Sequence, residues 1–284
     1  MRKGVVLTLM LAAVLAAVLT AGATAKWSVF RVGNLILKAE GKVSPTTLPR
    51  DEFAPTSFHG RGRIETVDGT HPPAIREGLL YIDRDGGFDA KGLPVCRAGQ
   101  LEARDTKSAK RVCGDAIVGS GIGTAEIAFP EQRPIVVHSP LILFNGGERG
   151  GTLTLFVHAY ITVPTPAAIV TSFKFSKVHV GQYGLRGVFQ IPVIAGGSGS
   201  VTGFEFRIER HYHYKGRMKS YDLGKCPDGH IDVKGEGVFK DEVGDGGETS
   251  VGGAIVFPCK PKGRRVGTVV ASWAYRSLHD RIAG

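Results

Sequence analysis

Seven side chains able to carry positive charge fall within thirteen residues of this chain: Arg207, Arg210, His211, His213, Lys215, Arg217 and Lys219. Arg and Lys beside a turn reach phosphates or carboxylates, and imidazoles add charge as pH falls toward about 6.5. Tyr212 and Tyr214, interleaved with them, offer flat faces that either stack on sugar rings or fill a core. The ligand class this pattern suits is an anionic extracellular polymer or glycan. Glu205 and Glu209 share the outer face with the cations and offset part of their charge. On a strand, His211 and His213 point the same way at about 6.5–7 Å, a spacing that chelates a transition metal only with a third ligand. Two exposed imidazoles is the plainer reading.

Other groups able to do chemistry are scattered. Asp83, Asp85 and Asp89 surround Gly86-Gly87 like a calcium loop, but without the closing Glu of that pattern. Asp-Gly-Gly between apolar runs is also hairpin chemistry, which we favour while leaving calcium open. Gly119-Ser-Gly-Ile-Gly123 looks like a phosphate loop, yet a strand follows it where a nucleotide site needs a helix N-terminus. Phe156, His158 and Tyr160 share one face of a strand, either as a ligand platform built on His158 and Tyr160 or as a row covered by another layer; an exposed aromatic row is unusual, so covering is expected. A hydrolase would need Ser, His and acid groups to meet in space. There is no Gly-x-Ser-x-Gly elbow and no His-Glu-x-x-His helix. Glu126, Glu205 or Glu209 would serve a glycosidase only as a facing pair. No catalytic residue, metal site or cofactor is assigned.

Cys96, Cys113, Cys226 and Cys259 are an even set with no C-x-x-C pair, which reads as two disulfides rather than zinc. Of the three connectivities, the local one, Cys96 with Cys113 and Cys226 with Cys259, asks least of the fold.

The elements that hold these groups are strands. From Thr152 to Val163, Leu153, Leu155, Val157, Ala159, Ile161 and Val163 alternate with Thr152, Thr154, Phe156, His158, Tyr160 and Thr162, the period of two of a half-buried strand. Phe204, Phe206, Ile208, Tyr212 and Tyr214 share one face of a later strand. Gly- and Pro-rich turns separate many such segments. One stretch, Gln100 to Val112, is free of Gly and Pro and reads as a helix lying over the sheet between Cys96 and Cys113. The expected fold is mainly β, an antiparallel β-sandwich with one short disulfide-flanked helix, an open barrel or two lobes being the alternatives.

Arg2 and Lys3, the uncharged run Gly4 to Leu19, and Ala23-Thr24-Ala25 have the layout of a secretory signal cleaved after residue 25. Residues 26–259 then form the β domain, with a sub-boundary near 130–140 left open, and 260–284 a basic tail whose stretch from Val269 to His279 suits a short helix. The chain carries 36 basic and 26 acidic residues, a net +10 that falls to +8 once Arg2 and Lys3 are removed. For an exported protein this favours envelope polymers or acidic glycans over nucleic acid. No second long apolar run follows the signal.

Thr66-Val-Asp-Gly-Thr-His-Pro-Pro-Ala74, Lys91-Gly-Leu-Pro-Val-Cys96, Gly99-Gln-Leu-Glu-Ala-Arg-Asp-Thr106, Leu143-Phe-Asn-Gly-Gly147 and Lys225-Cys-Pro-Asp-Gly229 resemble stretches of uncharacterised secreted β-rich proteins of high-GC Gram-positive bacteria. The resemblance runs to about Pro261 and implies export and a β-rich fold, without an activity or ligand. The expected function is therefore a secreted, non-catalytic binding or envelope-associated protein engaging an anionic polymer, with a glycan hydrolase as the alternative.

Overall fold

The computed structural model describes residues 27–241 and 246–263. The expected signal, residues 264–284 of the basic tail and the helix expected within it lie outside the described residues.

Twelve strands form one sheet: β1 (Ser28–Val32), β2 (Leu35–Ser44), β3 (Ser57–Thr66), β4 (Ala74–Asp83), β5 (Ile117–Phe129), β6 (Gln132–Arg149), β7 (Thr152–Ile161), β8 (Ala167–Val180), β9 (Tyr183–Gln190), β10 (Gly199–Ile208), β11 (His230–Lys240) and β12 (Glu248–Pro258). Their order is β1-β2-β3-β10-β5-β6-β7-β8-β9-β4-β11-β12, antiparallel throughout. The two outermost strands of that order approach each other, so the sheet curls into a nearly closed barrel. Side chains rather than a hydrogen-bonded ladder fill the seam: the Phe30 ring lies where Gly253 would carry a Cβ. Of the arrangements expected from the sequence, the mainly β antiparallel fold with a short disulfide-flanked helix is present, and the rolled sheet takes the open-barrel form.

The period-two pattern explains the layers. On β6, Leu143 faces a cluster with Val118, Leu153, Leu155, Phe175 and Ile208 inside the barrel, with Leu141 packed against it. Ile142 and Phe144 face outward, under Cys96, Leu101, Ala109 and Cys113. That outer layer is α1 (Thr106–Cys113) and the chain leading to it. The helix is shorter than the Gln100-to-Val112 stretch, because Ala103 takes φ +55° and Asp105 then caps the helix, its carboxylate accepting from Ser108 N–H at 2.7 Å. Likewise β5 starts at Ile117, so the Gly119–Gly123 run lies inside the strand rather than ahead of one beginning at Thr124. A Cβ at Gly119 or Gly121 would collide with the β10 carbonyls of Arg207 and Glu205, so glycine there permits close strand approach.

The interior cluster just described gathers where β10 finishes and β5 begins. A second, Leu35, Ile64, Phe239 and Val251 with Phe30, Leu37, Ile75 and Val201, fills the opposite end. At the first end a three-stranded sheet of Ala54–Pro55, Asp222–Gly224 and Gly86–Phe88 packs across the core. Tyr221, fully buried, and Phe88 are in ring contact at 5.5 Å. Both disulfides, Cys96–Cys113 and Cys226–Cys259, close at that end, with Cα separations of 5.5 and 6.1 Å. The pairing is the local one.

Candidate functional site

The alternating run that begins in β10 does not stay one strand. It breaks at Glu209-Arg210, and the chain turns into a separate hairpin, His211–Tyr214 paired with Arg217–Ser220. Lys215 (φ +51°) and Gly216 (φ +72°) form its two-residue turn, both in the left-handed region that matches strand twist. Alternation puts Tyr212 and Tyr214 inward and His211 and His213 outward. Tyr212 anchors the hairpin: its hydroxyl donates to the Asp89 and Lys91 carbonyls at 3.0 and 3.2 Å. Burial, with Asp89 nearby, pushes that phenol up to about 12. Lys219 is tied down as well, its Nζ 2.6 Å from Asp89 Oδ2 and 5.5 Å from the Tyr214 ring centroid.

The remaining cations point to solvent. Lys215, Arg217, His211 and His213 are exposed, and among the described residues neither Lys215 nor Arg217 forms an ion pair. Lys215 also lies 5.7 Å from the Tyr214 ring centroid. Arg210 is half-buried, with Nε enclosed. The positive surface continues onto the barrel: Lys42, His59 and Arg207 stand opposite one another on β2, β3 and β10, a rung without an acid. The next rung, Glu40, Arg61 and Glu205, is mixed. Glu40 pairs with Arg61, Glu205 with His59 at 2.9 Å, and Glu209 loosely with Arg207 at 3.7 Å. Positive charge is therefore least compensated toward the hairpin tip.

The other candidates fall elsewhere. His158 is not on a ligand platform; it is fully buried, and Nε2–H donates to the Arg104 carbonyl at 2.9 Å, bracing the chain ahead of α1. Burial lowers its pKa, so the ring stays neutral. Phe156 packs against the same outer cluster as α1. Tyr160 is half-buried, its backbone N–H and C=O both bonded to Ser139 Oγ. Of the row, His158 is covered, whereas Phe156 and Tyr160 are each half-buried. Asp83, Asp85 and Asp89 are drawn into separate tasks: Asp83 accepts the backbone N–H groups of Asp85 (3.0 Å) and Asp232 (3.2 Å), Asp85 pairs with Lys225 at 3.2 Å, and Asp89 holds Lys219. The turn falls at Arg84-Asp85, and Gly86–Phe88 runs on as a strand of the three-stranded sheet instead of folding back to pair with β4. Among the described residues no group of three or more His, Cys, Asp or Glu side chains is arranged to hold a metal ion.

A polar cleft of about 560 Å³ opens between Asp83, Asp85, Gln182, Lys225, His230 and Asp232. Burial first, then the neighbouring carboxylates, raise Asp83 above the ordinary carboxylate range, against two backbone N–H groups that favour its charge. Gln182 Nε2 donates to Asp232 at 3.3 Å. Sequence reasoning gave only Asp83 and Asp85 of this cleft, since the rest come from two distant segments, around Gln182 and from Lys225 to Asp232.

Distance along the chain also hid a second grouping. Glu126, one of the acids considered for a glycosidase, has Ser200 and Val136 as its cross-strand partners rather than a second carboxylate. It lies 3.5 Å from His71 Nδ1, and His71 Nε2 is 3.1 Å from Ser200 Oγ. Neither His71 nor Ser200 carries a local sequence signal.

No family model, no curated protein and no solved structure matches this chain.

Proposed function

We propose that this is an exported binding protein that holds an anionic extracellular polymer against the basic hairpin and the Lys42–His59–Arg207 rung. The observation that carries this reading is the hairpin itself. Its cations are displayed on a two-residue turn whose inner face is pinned by Tyr212 and Lys219, so Lys215 and Arg217 are presented without much further loss of backbone freedom on binding. A polyanion with charges spaced along a chain matches cations spread over a strand rung and a turn better than a compact anion does. Export supports the choice of polymer: two disulfides persist in an oxidising compartment, and among the described residues no helix is long and apolar enough to cross a membrane. The glycan-hydrolase alternative is not favoured by the strand-face acids, because Glu205 is engaged by His59 and Glu209 by Arg207 on the outer surface.

The test is retention of the protein on an acidic polysaccharide, or on isolated cell wall, across a salt series. Arg207, Lys215 and Arg217 are changed to Glu, leaving Lys219, whose charge is spent on Asp89. The triple variant is expected to bind roughly ten-fold or more weakly at low salt and to lose most of its salt dependence. Binding unchanged by the triple substitution would remove the hairpin from the function.

A further inference from the structure

We propose that Ser200, His71 and Glu126 form a nucleophile, base and positioning acid able to transfer a short acyl group from an ester to water. The three come from separate places: His71 from the segment between β3 and β4, Glu126 from the end of β5, and Ser200 from the start of β10. Register explains two of them, since Ser200 and Glu126 are direct cross-strand partners on the same face. His71 then reaches both. Its Nε2 is 3.1 Å from Ser200 Oγ and its Nδ1 3.5 Å from Glu126 Oε2. A carboxylate beside Nδ1 favours the tautomer with the proton there, which leaves Nε2 to accept from the Ser200 hydroxyl. That is the polarity a base needs to take the proton of an attacking hydroxyl.

The fully buried His158 shows what a bracing role looks like. His158 gives Nε2–H to a main-chain carbonyl and has no acid in contact with Nδ1. His71 has the reverse arrangement, a hydroxyl on one nitrogen and an acid on the other. Its Nδ1 is enclosed and makes no hydrogen bond in the resting arrangement; the Glu126 carboxylate stands 3.5 Å away, within ion-pair range of that side of the ring. Only 2% of Ser200 is exposed, whereas the His71 and Glu126 side chains are 16% and 29% exposed. The enclosure restricts the acyl group to a short one such as acetyl.

In the reaction, Ser200 Oγ bonds to the ester carbonyl carbon while its proton passes to His71 Nε2. The bond to the alcohol oxygen then breaks, and the departing oxygen takes that proton. Water repeats the sequence: its proton goes to His71 Nε2, its oxygen bonds to the acyl carbon, and Ser200 leaves with the proton restored and the carboxylic acid released. Glu126 touches no substrate and acts by positioning His71.

Activated esters need the least help at the leaving group, so p-nitrophenyl acetate is the first probe, with methanesulfonyl fluoride, whose sulfonyl group is close to acetyl in size, as a trap. Tandem mass spectrometry of the folded protein should place the acetyl or sulfonyl adduct on Ser200. Ser200→Ala should lose it, and His71→Ala should form it about a hundred-fold more slowly or worse. Where His71→Ala fails to fold, His71→Gln keeps a polar side chain at the position. Glu126→Gln should lower kcat more than it changes KM, with partial rescue by Glu126→Asp. Ser200 lies about 23 Å along β10 from Arg207, so the hairpin variants should react like the parent. Adducts on lysines but not on Ser200, or labelling of Ser200 that ignores His71, would overturn the proposal.

Discussion

The two ends of the barrel are held by different means. Where β10 finishes, the chain leaves the sheet repeatedly, and the irregular segments are tied by two disulfides, buried tyrosines and a small second sheet. Where β10 begins, the interior is closed by side chains from the long strands themselves, Leu35, Ile64, Phe239 and Val251. Regular strands pay their conformational entropy through ladders and apolar burial, whereas a basic hairpin with little apolar surface needs covalent and polar anchors to stay fixed. The proposed binding surface grows from the cross-linked end. The Ser200 set lies at the packed end.

The largest expected effect probes the packed end. Phe239→Ala removes a fully buried ring and should cost about 3–5 kcal/mol of global stability by denaturant unfolding. A cost under about 1 kcal/mol would mean that end carries little of the fold.

Removing Cys226 and Cys259 opens a crosslink spanning 33 residues, worth about 3–4 kcal/mol on the loop-entropy model. Its signature should be spatially uneven: amide exchange should rise first across the hairpin and the Asp222–Gly224 strand, and later on β2 and β3. Uniform loss of protection would erase the distinction between the ends.

Asp222 gives a pH handle on the cross-linked end. Burial pushes its carboxyl up to about 7, partly opposed by the hydroxyl of Thr56 donating at 3.0 Å. Unfolded, the group ionises near 3.8. Between about pH 4 and 7 the unfolded chain therefore binds fewer protons than the folded one, so stability falls as pH rises through that window and levels off above it. Asp222→Asn should remove this component, gaining on the parent at pH 8 relative to pH 4. Parallel pH profiles for the two proteins would contradict the assignment.

Smaller still is the cap of α1. Asp105→Ala should cost about 1 kcal/mol and raise amide exchange around Ser108 without touching the barrel ladder.

Much of this architecture was legible in the chain. Alternation from Thr152 to Val163 marks β7, the even cysteines give the staples, and Lys215-Gly216 gives the hairpin tip. Closure into one rolled sheet was not, because it rests on pairings such as β3 with β10 and β4 with β11 that link strands far apart in sequence. The early helix end turned on one residue, Asp105, whose capping role outweighs the helix propensity upstream. At the candidate surface the cations could be read directly, yet the loss of Lys219 to Asp89 depends on an ion pair 130 residues apart. His71 and Ser200 are separated by 129 residues, which no local spacing rule bridges.

The central claim, that the cross-linked end is a preformed polyanion-binding surface, is tested most directly by titrating the folded protein with an acidic polysaccharide at low and high salt, beside the variant with Arg207, Lys215 and Arg217 changed to Glu. The account predicts binding by the parent that weakens steeply with salt and is roughly ten-fold or more weaker in the variant. Equal affinity of parent and variant, or parent binding indifferent to salt, would contradict it.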